Sequence, residues 1–319
     1  MPVEINTLYH SDCIDLLKQM DSNFLSGVIT SPPYNIGRKY KGYKDKQKES
    51  VYLDWQVNIF NEIDKRLIQN GLILYNFSYS AGNPLLPYSL MKYIDLKTPF
   101  TLADTIIWKK PNSTPVRGNR LTRHCEFIFV ICRKTEIRSF QRNIHHINYI
   151  EAENNDKRIG TRYNSQPYST ELVLRLLKIY FNTDSLIFDP FSGIGTTLRS
   201  CLIFNCNYIG TEIDNDQTRY FNEKRILGIK HNLVKLRDEY KNILNPSLKT
   251  KTKKIEIMKT AEKKEVKTIK TLVKKLDYEE IDKLIVSLNA EKVKRKDSQK
   301  EKVKKQIEEL NKVLKDLDK

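Results

Sequence analysis

Leu186-Ile-Phe-Asp189-Pro190-Phe191-Ser-Gly193-Ile-Gly195-Thr196-Thr197 is the stretch on which the fold turns. Leu186–Asp189 reads as a short buried strand, the next residues as a tight glycine-rich turn, and the chain through Leu202 as the start of a helix. Strand, turn and helix in that order form a nucleotide-type cofactor site, with the ligand at the carboxyl ends of the strands. Glycines there let the backbone approach a ligand closely. No Gly-Lys-Ser/Thr follows, so this is not a phosphate-binding Walker loop. Nor is it Gly-x-Gly-x-x-Gly, so a pyrophosphate cofactor is disfavoured. Seventeen residues beyond Gly195, the next strand ends at Glu212 in Tyr208-Ile-Gly-Thr-Glu212-Ile-Asp. A carboxylate at that strand end grips ribose hydroxyls. Asp189 suits a cationic group better than a phosphate. A ligand with an ammonium and a ribose but no phosphate fits both carboxylates, and S-adenosyl-L-methionine has those groups.

Working outward, a second strand, Gly27–Thr30, runs into Ser31-Pro32-Pro33-Tyr34-Asn35. Proline cannot donate to a ladder, so the strand stops there, and two prolines make a stiff extended turn. Such a turn holds a hydroxyl, backbone carbonyls and a ring in fixed relation. The Ser31 hydroxyl and the Pro32 carbonyl can accept hydrogen bonds from an exocyclic amine, while Tyr34 lies against the base. An exocyclic amine is a poor nucleophile because its lone pair is delocalised into the ring. Two acceptors outside the base plane favour a pyramidal nitrogen, which can attack an electrophilic methyl group.

The first 245 residues alternate short apolar runs with helical stretches, the pattern of an α/β fold. Predicted strands are Ile5–Tyr9, Gly27–Thr30, Leu72–Phe77, Asp104–Trp108, Phe127–Cys132, Leu186–Asp189 and Tyr208–Glu212. Predicted helices are Asp54–Gln69, Ser169–Phe181 and Thr197–Asn205.

The chain carries 56 Lys+Arg against 39 Asp+Glu, a net +17 over 319 residues, which favours a polyanionic partner such as nucleic acid. Residues 246–319 hold 23 basic and 14 acidic residues, or +9, leaving +8 for the first 245. Apolar residues in this tail recur at helical spacing (Ile281, Leu284, Ile285, Leu288, then Val303, Ile307, Leu310, Leu314), predicting a lysine-rich helical extension. Two basic stretches interrupt the catalytic framework, Arg38–Lys48 and Lys109–Arg142. No run of about 18 apolar residues exists, and the N-terminus lacks a basic start followed by an apolar stretch. The five cysteines are scattered without a Cys-x-x-Cys pair. The expectation is a soluble cytoplasmic protein with no membrane association and no metal site.

The two motifs together resemble the DNA amino-methyltransferases that make N6-methyladenine or N4-methylcytosine. Ser31-Pro-Pro-Tyr34 resembles their catalytic motif and Asp189-Pro-Phe-Ser-Gly-Ile-Gly195 their S-adenosylmethionine motif. The catalytic motif precedes the cofactor motif, as in the beta group. His10-Ser-Asp12-Cys, Trp108-Lys-Lys, His124-Cys-Glu126-Phe-Ile and Asn164-Ser-Gln166-Pro167 resemble further segments of that group, over roughly residues 5–230. Ser11 stands where glycine is commoner, and the lysine usual between Gln166 and Pro167 is missing.

The resemblance implies a Rossmann-like methyltransferase sheet in circularly permuted motif order. It implies methyl transfer to a flipped-out base of double-stranded DNA, as the modification enzyme of a type II restriction system. Ser31, Pro32, Pro33 and Tyr34 would be catalytic. Asp12, Gln166, Pro167, Asp189, Phe191, Gly193, Gly195, Thr196 and Glu212 would hold the cofactor. Arg38, Lys39 and Lys41 would close over the extruded strand. Arg117, Arg120 and Arg123 would contact phosphate or guanine from a target-recognition segment spanning about 109–165. Serine before Pro-Pro-Tyr is commoner in the cytosine-N4 members, so N4 is favoured and adenine N6 is the alternative. Cytosine C5 chemistry fits poorly, since no cysteine follows a proline or lies near either motif in a matching pattern. The resemblance also implies a homodimer and a cognate endonuclease. A non-catalytic DNA-binding protein on the same fold, or methylation of RNA or protein glutamine, are the competing readings.

Overall fold

The computed structural model describes residues 2–79, 82–113, 121–153 and 168–244. Its frame is a sheet of eight strands: β1 Thr7–His10, β2 Leu25–Thr30, β3 Leu67–Phe77, β4 Phe100–Lys109, β5 Cys125–Arg133, β6 Tyr149–Glu151, β7 Leu186–Asp189 and β8 Asn207–Glu212. They lie in the order β1-β8-β7-β2-β3-β5-β4-β6. The first five in that order run parallel. Strand β5 is antiparallel to both β3 and β4, and β6 is parallel to β4. All seven predicted strands are present. The eighth, β6, was too short to register as a periodic run.

Six helices position the site: α1 Cys13–Leu17, α2 Glu49–Asp64, α3 Leu86–Lys97, α4 Thr170–Tyr180, α5 Thr196–Phe204 and α6 Asn215–Tyr220. The prediction of Asp54–Gln69 for α2 is corrected at both ends. The buried stripe begins earlier, at Tyr52 and Leu53, and Leu67 already belongs to β3, where it pairs with Leu25. Helices α4 and α5 match their predicted spans to within a residue at each end.

Alternation along the central strands divides the core in two. Leu72 and Leu74 of β3 and Ile128, Val130 and Cys132 of β5 face the cluster built on α4 and α5. Ile73, Tyr75 and Phe77, with Phe129 and Ile131, face the cluster built on α1, α2 and α3. Strands β2 and β7 are neighbours although 155 residues separate Thr30 from Leu186, so motifs far apart in sequence emerge side by side. The connection through α2 leads from β2 to β3 on one side, and that through α5 leads from β7 to β8 on the other. The crevice between β2 and β7 is therefore the topological switch point, where ligands of open α/β sheets bind.

The expectation of one recognition insert over about 109–165 needs correction. Cys125–Arg133 is β5, held between β3 and β4 in the sheet interior. Its basic member Arg133 is committed to the fold, donating to Asp64 at 2.6 Å and to the carbonyls of Ile68, Asp64 and Leu67. The predicted helical extension of residues 246–319 lies outside the described residues.

Candidate active site

A cavity of about 920 Å³ opens at the carboxyl ends of β1, β2, β7 and β8. Its lining includes both motifs: Ser31, Pro32, Pro33 and Tyr34 from the end of β2, and Phe191, Gly193 and Thr196 from the turn after β7. Asp12 and Glu212 also line it. Of the other four expected cofactor residues, Gln166 and Pro167 lie outside the described residues, as do the expected DNA contacts Arg117 and Arg120.

At the cofactor end, Glu212 stands at the last position of β8. Its two carboxylate oxygens accept from the backbone N–H of Gly193 and of Asp214, each at 2.8 Å. These bonds fix the carboxylate across the mouth of the turn and leave lone pairs directed outward. Burial raises its pKa, opposed by the two backbone N–H groups. Asp12 caps α1 by accepting from Ile14 N–H at 2.8 Å. Gln217 on α6 also lines the cavity, and its side-chain carbonyl oxygen is buried without a partner among the described residues. An unanswered acceptor beside a fixed carboxylate fits a ligand that brings N–H and hydroxyl donors, as an adenosyl group does.

Asp189 departs from expectation. It is fully buried beneath the cavity and is not part of its wall. Thr30 and Thr197 each donate a hydroxyl to it at 2.6 Å, and Phe191 N–H donates at 3.1 Å. The carboxylate thus ties the end of β2, the turn after β7 and the first turn of α5 into one unit. Its direct grip on a ligand cation is corrected to a structural tie between the two motifs. Burial pushes its pKa up to about 6. Gly195 is corrected likewise. It caps α5 at φ 76°, and a Cβ there would run into the Phe221 ring, so the tight approach is to protein and not to ligand.

At the catalytic end, the Tyr34 ring packs on Phe77 with centroids 4.7 Å apart. Its hydroxyl meets the Ser31 hydroxyl at 3.0 Å, Asn76 Oδ1 at 3.0 Å and Glu126 Oε2 at 3.2 Å. Burial first, and the Glu126 carboxylate second, hold the Tyr34 phenol well above its usual pKa, so it keeps its proton. Asn76 donates to Glu126 Oε2 and to the Phe127 carbonyl, both at 3.1 Å. Lys110 donates to Glu126 Oε1 at 2.6 Å. The Pro33 carbonyl accepts from Tyr52 at 2.7 Å, which anchors the double-proline turn on α2.

Asn76, Lys110 and Glu126 were not assigned to the site from sequence. Asn76 is the one polar residue in the buried run Leu72–Phe77, a signal that was available. Lys110 and Glu126 fall in the basic stretch Lys109–Arg142, within the family-like segments Trp108-Lys-Lys and His124-Cys-Glu126-Phe-Ile, and the sequence assigns neither a role. The antiparallel course of β5 instead brings its first residues to the edge where β3 ends.

The Arg38–Lys48 loop borders the same cavity. Lys39, Lys41 and Tyr43 line the same cavity, and Tyr43 packs on Trp55, which packs on Phe191. Lys41 is ion-paired with Asp216 at the start of α6. The loop therefore lies over the cofactor end, where the exposed Lys41 side chain meets Asp216. Asp45 holds the loop by accepting from the backbone N–H of Asn35, Ile36 and Arg38. Arg123 donates to the Tyr79 carbonyl at 3.0 Å and stacks over the Tyr79 ring.

Residues 25–223 match the N6/N4 methyltransferase family, described as DNA methylase. The chain belongs to this family. Among its relatives, the DNA adenine methyltransferase YhdJ of Escherichia coli K12 is 21% identical over 67% of this chain and 80% of its own length. The type II methyltransferase M.Cfr9I of Citrobacter freundii is 24% identical over 67% of this chain and 86% of its own. Among solved structures, the cytosine-N4-specific PvuII DNA methyltransferase aligns with a TM-score of 0.58 at 20% identity, over 75% of this chain and 92% of that one. The Rossmann-like methyltransferase sheet is thereby established, with catalytic strand β2 preceding cofactor strand β7. This methylase acts on an exocyclic amine of a DNA base, cytosine N4 or adenine N6. No helix among its described residues is long and apolar enough to cross a membrane, and no cluster there could hold a metal ion.

Proposed function

We propose that this methylase transfers the methyl group of S-adenosyl-L-methionine to N4 of a cytosine flipped out of double-stranded DNA, as the modification enzyme of a restriction system. The observation that carries the reading is one cavity lined by Ser31 and Pro32 at one end and by Glu212 and Gly193 at the other. The cofactor supplies an electrophilic methyl on sulfonium. A solved relative from Thermus thermophilus, 19% identical with a TM-score of 0.52 over 70% of this chain and 93% of its own, was obtained as a complex with S-adenosyl-L-methionine.

In this reading Glu212 takes the ribose hydroxyls, and Phe191 with Trp55 forms the apolar wall. Ser31 and the Pro32 carbonyl accept from the target amine and favour a pyramidal nitrogen. Tyr34 supports the base by stacking, worth about 1–3 kcal/mol per base. Flipping costs a few kcal/mol, offset by such contacts. Serine in place of aspartate favours cytosine, and a homodimer and an endonuclease reading the same site follow from the restriction-system assignment. Tyr34→Ala tests the catalytic half. Turnover is expected to fall with little change in the cofactor dissociation constant, and an equal loss of cofactor affinity would contradict the role given to Tyr34.

A further inference from the structure

A serine hydroxyl facing an amine has two faces. It can offer lone pairs, which help a nitrogen whose hydrogens must be held, or a proton, which ties up the nitrogen lone pair that has to attack. An aspartate in the same place would accept in any orientation. The proposed role of Ser31 therefore depends on where its own proton goes.

The hydrogen-bond partners determine this. Lys110 can only donate, so the oxygen of residue 126 beside it, at 2.6 Å, must accept. The second oxygen of Glu126, also an acceptor, faces Tyr34. Asn76 spends its N–H₂ on Glu126 and on the Phe127 carbonyl, so its carbonyl oxygen faces Tyr34 too. With acceptors alone on that side, the Tyr34 proton points away from Ser31. The 3.0 Å contact between the two hydroxyls is then a bond from Ser31 to Tyr34. This set is buried: Asn76 is 2% exposed, and the side chains of Lys110 and Glu126 are 10% and 14% exposed. Water competes little for these bonds.

We propose that Glu126, clamped by Lys110, is a positioning residue that fixes the direction of the hydrogen bonds through Tyr34, so that the neutral Ser31 hydroxyl presents lone pairs and not a proton to the target amine. The inference rests on the reading above in which Ser31 receives that amine.

Glu126→Gln reverses the chain. Lys110 forces the glutamine carbonyl to its own side, so the new N–H₂ faces Tyr34 and Asn76. Two N–H₂ groups cannot face each other, so the Asn76 amide turns and presents its own N–H₂ to Tyr34; with donors alone on that side, the Tyr34 proton is displaced toward Ser31, and the Ser31 proton toward the cavity. The assay is single-turnover transfer of labelled methyl from S-adenosyl-L-methionine to unmethylated duplex DNA of mixed sequence, using the full chain. E126Q is expected to slow transfer about 100-fold, as when one hydrogen bond to developing charge is lost, with cofactor and DNA dissociation constants nearly unchanged. Adding Ser31→Asp to E126Q is expected to recover about tenfold or more, because a carboxylate accepts in either direction. The double variant K110M/E126M exchanges the buried ion pair for an apolar pair, a change folds tolerate. It leaves the Asn76 carbonyl to take the Tyr34 proton, and is expected to transfer faster than E126Q.

A folded E126Q with the wild-type rate would overturn the inference. So would a rescue by S31D that fails, or K110M/E126M no faster than E126Q. Full activity in Ser31→Ala would instead remove the underlying reading of Ser31, which separates the two failures.

Discussion

Glu212 and Asp189 are both carboxylates at strand ends, yet their surroundings give them opposite tasks. Glu212 lines the cavity with its oxygens fixed by two backbone N–H groups. Removing it by Glu212→Ala is expected to weaken cofactor binding about 10- to 100-fold, the scale of hydrogen bonds to a charged group, with DNA affinity nearly unchanged. Isothermal titration with each ligand checks both halves, and an unaltered cofactor isotherm would contradict the role. Asp189 is fully buried, with a pKa pushed up to about 6 from an ordinary 3.8. A raised folded-state pKa means that the folded form binds more protons than the unfolded chain between those values. Its stabilising contribution is complete below pH 3.8 and is lost as pH rises through 6, by about 3 kcal/mol. Urea unfolding of wild type and Asp189→Asn at several pH values between 4 and 7 should show this decline in the wild type and its absence in the variant. Parallel stability curves would contradict the assignment.

The turn from β7 into α5 is built around Gly195 at the scale of an element. Its φ of 76° and the Phe221 ring leave no room for a side chain. Gly195→Ala combines a left-handed alanine with overpacking and is expected to cost about 2–4 kcal/mol, measured by chemical denaturation. A loss below about 1 kcal/mol would mean that the ring and turn relax freely. This element was legible from its residues, since Leu186–Asp189, the glycines and the helix all stand where the spacing puts them. The role of Gly195 was not, because Phe221 comes against it only through tertiary packing. The same distinction holds at the other motif. Ser31–Tyr34 announces itself by two prolines after an apolar strand. Lys110 and Glu126 sit in a stretch whose charge suggests a solvated loop, and they join the site because β5 runs antiparallel beside β3. Pairing direction is a long-range property that local periodicity does not carry.

Over the whole molecule, the net charge of +17 divides into +8 for residues 1–245 and +9 for residues 246–319. We propose that the first part carries the methyltransferase site and that the second adds affinity for DNA. Removing residues 246–319 is expected to leave the cofactor dissociation constant unchanged, while DNA binding weakens and the slope of log affinity against log salt becomes shallower. Binding isotherms at several salt concentrations measure this, and an unchanged slope would place the tail off the DNA. The basic residues of the catalytic part are not equivalent either. Lys41, Lys110 and Arg133 are spent on Asp216, Glu126 and Asp64, so total charge overstates what is available to phosphate.

The central claim is amine methylation at N4 of cytosine from a cavity shared by both motifs. The most direct test incubates the full chain with isotopically labelled S-adenosyl-L-methionine and unmethylated duplex DNA of mixed sequence, then digests the DNA and resolves the nucleosides by mass spectrometry. Labelled N4-methyldeoxycytidine is the predicted product. Labelled N6-methyldeoxyadenosine in its place would contradict the assignment of the base, and label on neither amine, with DNA and cofactor both bound, would contradict the transfer reaction itself.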